Sequence, residues 1–99
     1  AGTEPPDVVE LWDWTLAPGD RHESDAHTAG TVELLQVLHG SVVIEIADQS
    51  ITLETGDAAA FASSVPHAYT NPGAGEARFS LAVFEPGVGA VTPSDRDHA

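Results

Sequence analysis

The fold is decided by two stretches of the sequence, DAHTAGTVELLQVLHG at residues 25–40 and GDAAAFASSVPHAYTN at residues 56–71. Each stretch carries histidine and acidic side chains on short extended segments that are bounded by glycine turns. The two stretches follow each other closely, so their extended segments can lie side by side in one sheet or barrel. Together they predict a single pocket inside a small β-barrel.

Length and composition limit the class of protein. The chain has 99 residues and 41% hydrophobic content, which predicts one globular domain. The absence of cysteine excludes disulfides and thiolate metal sites. No apolar run approaches the roughly 20 residues of a membrane span, and we expect a cytoplasmic protein. Sixteen acids against three arginines give a net charge of −13, so this chain alone is not expected to bind nucleic acid.

Hydrophobic periodicity predicts short strands throughout and no helix. We expect strands at residues 8–16, 32–38, 42–47, 51–54, 58–61, 67–70 and 77–84. The nearly continuous apolar run at residues 32–38 is typical of a strand buried on both faces. Asp48-Gln49 predicts a tight turn. The result is an all-β antiparallel sandwich or barrel at residues 8–85, with an arm at residues 1–7 and a tail at residues 86–99.

The two stretches resemble the two motifs of the cupins, which are small antiparallel jelly-roll barrels, also called double-stranded β-helices. The first cupin motif has a glycine, a His-x-His pair, a glutamate and a closing glycine. It is matched here, in that order, by Gly19, Asp25 with His27, Glu33 and Gly40. Asp25 thus replaces a histidine, and the gap between His27 and Glu33 is one or two residues longer than in the strict motif.

The second cupin motif has a glycine, a proline, a second glycine, a histidine and an asparagine. Gly56, His67 and Asn71 match it, whereas Ala62 and Ser64 replace the proline and the second glycine. Residues 32–40 and 65–73 also resemble a cupin found at the C-terminal end of certain bacterial regulators. Those regulators carry an N-terminal helix-turn-helix of the xenobiotic-response-element type. This resemblance implies a domain that senses a small-molecule effector and forms a homodimer, with DNA bound by a helical domain outside this chain.

The resemblance also implies a metal site at the barrel mouth, formed by Asp25, His27, Glu33 and His67. Two imidazoles and a carboxylate are a ligand set that suits iron(II), and manganese, nickel or zinc would also fit. A metal-free barrel remains equally open. Asp25 would place a second acid beside Glu33, and the longer gap can move His27 away from a metal.

The candidate ligand-binding residues are His27, Glu33, His67 and Tyr69, since Tyr69 has the same strand parity as His67. His22, in the loop before Asp25, is either an alternative metal ligand or a solvated loop residue. We expect His39 at the surface and His98 in the tail. No catalytic residue is predicted, because the chain has no Gly-x-Ser-x-Gly elbow and no phosphate-binding loop.

We therefore expect a sensing cupin domain of a bacterial transcriptional regulator, in which an effector biases the packing of a dimer. The alternative is a free-standing metal-dependent cupin enzyme, a dioxygenase or an isomerase acting on a small polar substrate. A metal-free binding or storage domain is a third possibility. The sequence favours the sensor over the enzyme because its motifs specify a barrel more firmly than they specify a reaction.

Overall fold

A computed structural model describes residues 7–87 and shows that they form eight β-strands. These are β1 (Val8–Leu16), β2 (Arg21–Ser24), β3 (Val32–His39), β4 (Val42–Ile46), β5 (Gln49–Leu53), β6 (Ala58–Ala62), β7 (His67–Thr70) and β8 (Ala77–Glu85). Apart from Asp7, Pro86 and Gly87, the predicted arm and tail lie outside the described residues, as does His98. Within residues 7–87, no helix qualifies as a membrane-spanning segment.

The strands form two four-stranded antiparallel sheets. The first sheet has the order β1-β8-β3-β6 and the second has the order β2-β7-β4-β5. Because consecutive side chains of a strand point to opposite faces, each sheet presents one set of residues to the space between the sheets. The apolar core lies there, with Leu35, Ile44, Phe79 and Leu81 almost completely buried. The prediction of an all-β antiparallel barrel is confirmed.

The prediction that residues 32–38 are buried on both faces is wrong. β3 lies inside the first sheet between β8 and β6, and its residues alternate between buried and exposed. Leu35 and Val37 face the core, whereas Val32 and Leu34 are exposed on the outer face. The apolar run therefore reflects an uncovered sheet face, not a strand that is sandwiched between two layers.

Two local predictions also need correction. β2 was not predicted, and His22 lies on this strand and not in a solvated loop. The turn between β4 and β5 is formed by Ala47 and Asp48, one residue before the predicted Asp48-Gln49 turn. Ala47 adopts a left-handed backbone conformation with a φ of 53°. A hairpin turn of this kind favours glycine or asparagine, and alanine therefore gives no sequence signal for it.

Candidate metal and ligand site

Three side chains from three parts of the chain meet between the sheets. His27 follows β2, Glu33 is the second residue of β3, and His67 begins β7. Nε2 of His27 lies 3.1 Å from Oε2 of Glu33, and Nε2 of His67 lies 3.0 Å from the same oxygen. One potential ligand atom from each residue lies within 4.8 Å of the other two. The structure thus brings together three of the four metal-ligand candidates.

A backbone contact fixes the tautomer of His67. Nδ1 of His67 lies 2.8 Å from the carbonyl oxygen of Val65. Because a carbonyl oxygen can only accept a hydrogen bond, Nδ1 carries the proton and donates a hydrogen bond to the carbonyl of Val65. The neutral ring then keeps its lone pair on Nε2, which is the atom that faces Glu33. A histidine that donates one ring N–H to a carbonyl is oriented in the way that metal-ligating histidines usually are.

Tyr69 holds the other oxygen of Glu33. The Tyr69 hydroxyl donates a hydrogen bond to Oε1 of Glu33, and both side chains are fully buried. Tyr69 was predicted to share the face of His67, and the rings of the two residues meet edge to face at a centroid distance of 5.7 Å. Tyr69 therefore determines which carboxylate oxygen faces the two histidines.

The polar contacts of Glu33 lower its pKa by more than burial raises it. Burial alone would raise the pKa of Glu33, but His27, His67 and Tyr69 together lower the pKa to about 2. Burial likewise disfavours the charged form of His67, but the Glu33 carboxylate and the Val65 carbonyl raise its pKa above the ordinary value. Burial and the neighbouring Glu33 charge raise the pKa of Tyr69, which stays a neutral donor. Glu33 is therefore an ionised, buried carboxylate.

The polar atoms that converge at the centre of this group lack hydrogen-bond partners of acceptable geometry among the described residues. Nε2 of His27, Oε2 of Glu33 and Nε2 of His67 are all buried and have no hydrogen-bond partner of acceptable geometry within residues 7–87. If neither Nε2 carries a proton, the two ring nitrogens and the carboxylate oxygen are all acceptors, and a cation between them would satisfy all three. Oε2 of Glu33 lies 3.1 and 3.0 Å from the two nitrogens, and one ligand atom from each residue lies within 4.8 Å of the others, so one ion could contact all three. The three residues therefore fit a divalent metal.

The structure does not bring Asp25 into this group. Asp25 is exposed and lines a cleft of about 270 Å³ together with Arg21, Glu23, Glu45 and, from the site, His67. Arg21, Glu23 and Glu45 belong to the outer face of the second sheet, where Arg21 forms ion pairs with Glu23 and Glu45. β2 ends at Ser24, so Asp25 and His27 lie in the loop after this strand and do not share a strand face.

The longer gap between His27 and Glu33 does not remove His27 from the group. Residues 28–31 close a turn in which the N–H of Thr31 donates to the carbonyl of Thr28 at 3.1 Å. The N–H of His27 donates to the carbonyl of Ser63 at 2.9 Å, which ties this loop to the end of β6. The extra length is therefore taken up by a turn, and the His27 side chain is 7% exposed beside Glu33.

Two buried hydroxyls beside this group were not predicted as site residues. Thr31 and Ser63 are completely buried, and neither hydroxyl has a hydrogen-bond partner within the described part of the chain. Thr31 precedes Glu33 by two residues, and the N–H of Ser63 donates to the Thr31 carbonyl at 3.0 Å. The sequence signal for them was parity. Thr31 lies two residues before Glu33 and Ser63 lies two residues after Phe61, and alternate residues of a strand share a face.

The other histidines are placed differently. His22 is half-buried on β2, and its ring packs on Trp14 at a centroid distance of 4.4 Å and on Tyr69 at 6.1 Å. Burial lowers the pKa of His22, and the nearby His67 lowers it further. His22 is therefore a packing partner of Tyr69, and the structure does not group it with Glu33. His39 is exposed, which confirms its predicted surface position.

The remaining motif residues have structural roles that explain their positions. Asn71 is buried, and its Nδ2 donates to the carbonyls of Leu16 at 3.1 Å and Gly75 at 2.7 Å. Its Oδ1 accepts from the N–H of Gly73 at 2.9 Å. Gly40 has a φ of 77°, and a Cβ there would lie 2.9 Å from the carbonyl oxygen of Glu76. Both residues position the loop between β7 and β8.

Solved structures with this fold include bacterial regulators. The cupin domain of an XRE family transcriptional regulator from Enterobacter cloacae aligns with a TM-score of 0.74 and 28% identity, covering 81% of this chain and 97% of that domain. An HTH_3 family transcriptional regulator from Vibrio cholerae aligns with the same TM-score and identity over 79% of this chain. This chain spans only 43% of the Vibrio protein.

A designed protein and a family model complete the comparison. A de novo designed double-stranded β-helix aligns with a TM-score of 0.61 and 20% identity over 75% of this chain and 97% of that chain, which shows the fold alone. A comparison with curated proteins finds no match. The family model described as the cupin domain matches residues 12–84, which contain all eight strands except the ends of β1 and β8. The chain therefore belongs to the cupin family.

Proposed function

We propose that this chain is the small-molecule-sensing cupin domain of a bacterial transcriptional regulator. The observation that carries the proposal is the alignment over 97% of the cupin domain of the Enterobacter cloacae XRE regulator at 28% identity. The Vibrio cholerae regulator supports it, because this chain corresponds to less than half of a protein of that class. The DNA-binding part of the regulator would be a separate helix-turn-helix, and the net charge of −13 agrees with a chain that does not itself bind DNA.

We further propose that His27, Glu33 and His67 hold one divalent transition metal. The support is the convergence of three buried polar atoms that have no hydrogen-bond partner of acceptable geometry among residues 7–87. A metal bound there would offer open positions to a small molecule. Asp25, which the sequence also suggested as a ligand, is exposed and does not belong to this group, so it is left out of the proposed set.

The effector would reach this site from the side of His27. Glu33 and Tyr69 are fully buried, and His67 is only 4% exposed, whereas His27 lies in a loop and keeps some contact with solvent. Tyr69 would then act by holding Glu33, and His27 would be the residue nearest to an arriving molecule. Occupancy would change the packing of a homodimer only if the effector binds one dimer arrangement more tightly than the other.

The regulator assignment is tested by the gene. We expect the reading frame upstream of Ala1 to encode a helix-turn-helix domain in the same protein. A reading frame that begins at Ala1, in a gene with no DNA-binding partner in the same operon, would contradict the assignment. Catalytic turnover of a small polar substrate by the purified chain would then favour a metal-dependent enzyme.

The metal assignment is tested by elemental analysis. Chelator-treated protein should take up about one equivalent of Mn²⁺, Fe²⁺, Ni²⁺ or Zn²⁺, and His67→Ala or Glu33→Gln should abolish uptake. Asp25→Asn and His39→Ala are matched controls, because both remove a potential ligand outside the group and should leave the content unchanged. Uptake below about a tenth of an equivalent by the wild type, or unchanged uptake in His67→Ala, would refute the proposed ligands.

A further inference from the structure

Three oxidisable rings form a continuous line through the interior of the barrel. The chain has two tryptophans and one tyrosine, which are Trp12, Trp14 and Tyr69. Trp12 and Trp14 alternate on β1, so they share the face that packs against the core. Their ring centroids lie 6.3 Å apart, and the centroid of Trp14 lies 6.4 Å from that of Tyr69 on the facing sheet. Both distances are typical of aromatic rings in contact.

The two ends of this line lie in different surroundings. Trp12 is half-buried on β1, which is an edge strand of the first sheet. Tyr69 is completely buried, and its hydroxyl donates to Oε1 of Glu33. His22 adds a second contact, since its ring centroid lies 4.4 Å from that of Trp14 and 6.1 Å from that of Tyr69. The line therefore joins the edge of the barrel to the buried carboxylate.

The composition of the chain directs oxidation to these rings. Cysteine and methionine, whose sulfur atoms are common targets of oxidants, are both absent. Indole and phenol rings are the next side chains to lose an electron. A phenol loses its electron more readily when a base accepts its proton, and the Glu33 carboxylate already accepts the hydrogen bond of the Tyr69 hydroxyl. Tyr69 is therefore the side chain at which oxidation of this chain should end.

We propose that Trp12, Trp14 and Tyr69 form a redox relay from the edge of the barrel to Glu33. A diffusing one-electron oxidant, of the class of small inorganic radicals, takes an electron from Trp12 and is itself reduced. Trp14 returns an electron to Trp12, and Tyr69 returns one to Trp14. In the last step the O–H bond of Tyr69 breaks, and its proton forms a new O–H bond at Oε1 of Glu33. Tyr69 is left as a neutral radical, and both tryptophans are unchanged.

The relay would make the buried site respond to oxidants. The proton that arrives at Oε1 removes the negative charge of Glu33. A protonated carboxyl is a poor metal ligand, because ligands of this kind bind in the deprotonated form. Oxidation at the barrel edge should therefore weaken metal binding by His27, Glu33 and His67. This consequence rests on the proposed function of the site, whereas the relay rests on the ring contacts and on the hydrogen bond between Tyr69 and Glu33.

Pulse radiolysis of the chelator-treated full chain tests the relay, with the azide radical as the oxidant. Because Tyr69 is completely buried, the azide radical oxidises tryptophan first. The absorption of the tryptophan radical should decay while that of a tyrosyl radical grows, at a rate independent of protein concentration. Tyr69 is the single tyrosine of the chain, so it is the source of the whole tyrosyl signal. The growth should be slower after exchange into D₂O, because a proton moves with the electron.

Trp14→Phe should slow the growth of the tyrosyl signal by at least an order of magnitude, because phenylalanine keeps an aromatic ring that the azide radical does not oxidise. Phe79→Leu is the matched control. The Phe79 ring packs against Trp14 at a centroid distance of 6.1 Å and against Tyr69 at 5.4 Å, but it lies outside the relay. Its replacement should change the rate far less. Glu33→Gln, which removes the proton acceptor, should also slow the growth and serves as a second variant if Trp14→Phe does not fold by circular dichroism.

The outcomes separate the relay from the metal site. Decay of the tryptophan radical without a tyrosyl signal, a growth rate that rises with protein concentration, or an unchanged rate in both Trp14→Phe and Glu33→Gln would overturn the relay. Wild-type protein that takes up metal but forms no tyrosyl radical would overturn the relay while the proposed metal site stands. A tyrosyl radical that forms through Trp14 in protein that takes up no metal would support the relay and refute the metal site alone.

Discussion

The hydroxyl of Tyr69 donates to Oε1 of Glu33, and this bond leaves Oε2 as the oxygen that faces His27 and His67. The two residues are 36 positions apart in the chain and lie on facing sheets. A carboxylate with one oxygen held by a donor can present the other without rotating. Tyr69 is thus a positioning residue for the proposed metal ligand, since its hydroxyl donates to the Glu33 oxygen that faces away from the histidines.

Tyr69→Phe should weaken metal binding by about 10- to 100-fold, the usual cost of losing a partner of a metal ligand. The substitution removes only the hydroxyl and keeps the packing of the ring on Phe79, at a centroid distance of 5.4 Å. Titration of chelator-treated protein with Zn²⁺ measures the change. Phe79→Leu is the control, because it disturbs the same packing and leaves the hydroxyl in place. Equal affinities for wild type and Tyr69→Phe would refute the positioning role.

The lowered pKa of Glu33 predicts how the stability of the metal-free protein depends on pH. The pKa of Glu33 is about 2 in the folded state against an ordinary value of 4.5, so this group stabilises the fold fully above pH 4.5. The contribution is about 3 kcal/mol and decreases as the pH falls from 4.5 towards 2. The difference in free energy of unfolding between wild type and Glu33→Gln should shrink over this range. Urea unfolding at pH 6, 4.5 and 3 measures it.

Glu54→Gln provides the comparison for that experiment. Glu54 is exposed and its side chain contacts the Ser41 hydroxyl and no charged group among the described residues. The substitution makes the same chemical change at the surface, away from the buried group. If the difference between wild type and Glu33→Gln stays constant from pH 6 to pH 3, then Glu33 is not held as a buried carboxylate in the folded protein.

Asn71→Ala should lower the free energy of unfolding by about 3 kcal/mol. The substitution leaves the carbonyls of Leu16 and Gly75 without their shared donor and the N–H of Gly73 without its acceptor. Gln49→Ala removes an exposed amide and should change stability by less than about 0.5 kcal/mol. Chemical denaturation of both variants makes the comparison, and a similar small effect in both would show that the Asn71 bonds contribute little.

Gly40→Ala and Gly56→Ala separate two ways in which alanine destabilises a glycine position, backbone strain and steric overlap. Both glycines have a positive φ, of 77° and 91°, so alanine is strained at either position. At Gly40 the new methyl group would also meet the carbonyl oxygen of Glu76 at 2.9 Å, whereas nothing lies within 4 Å at Gly56. Gly40→Ala should therefore be more destabilising than Gly56→Ala by about 1–3 kcal/mol in urea unfolding. Equal losses in the free energy of unfolding would mean that the loop before Ala77 can move away from the new methyl group at no cost.

Most of the barrel was predictable because its strands alternate and its turns carry glycine. The bounds of β1 agree with the predicted strand, and alternate residues of two other predicted strands, Val42 with Ile44 and Phe79 with Leu81, are buried. β2 was missed because its four residues are Arg-His-Glu-Ser, and its two inward side chains, His22 and Ser24, are polar. The exposure of Leu34 was missed because hydrophobicity alone does not show whether a face is covered.

The candidate site was predictable in part. His27, Glu33 and His67 were named because each lies in a motif position. Asp25 was named because it fills the first position of the His-x-His pair, but residues 25–31 form a loop after β2 and Asp25 is exposed there. The turn that keeps His27 beside Glu33 depends on hydrogen bonds to Thr28 and Ser63, and contacts of this kind do not follow from sequence spacing.

The alternation of β3 connects two properties that are usually considered separately. Glu33 points between the sheets, and its immediate neighbours Val32 and Leu34 are exposed on the opposite side of the same strand. A shift of the β3 backbone that moves Glu33 therefore also moves both exposed side chains. By thermodynamic linkage, any contact on that outer face that prefers one position of this backbone would change the affinity of the proposed metal site by the same factor by which the metal changes that contact.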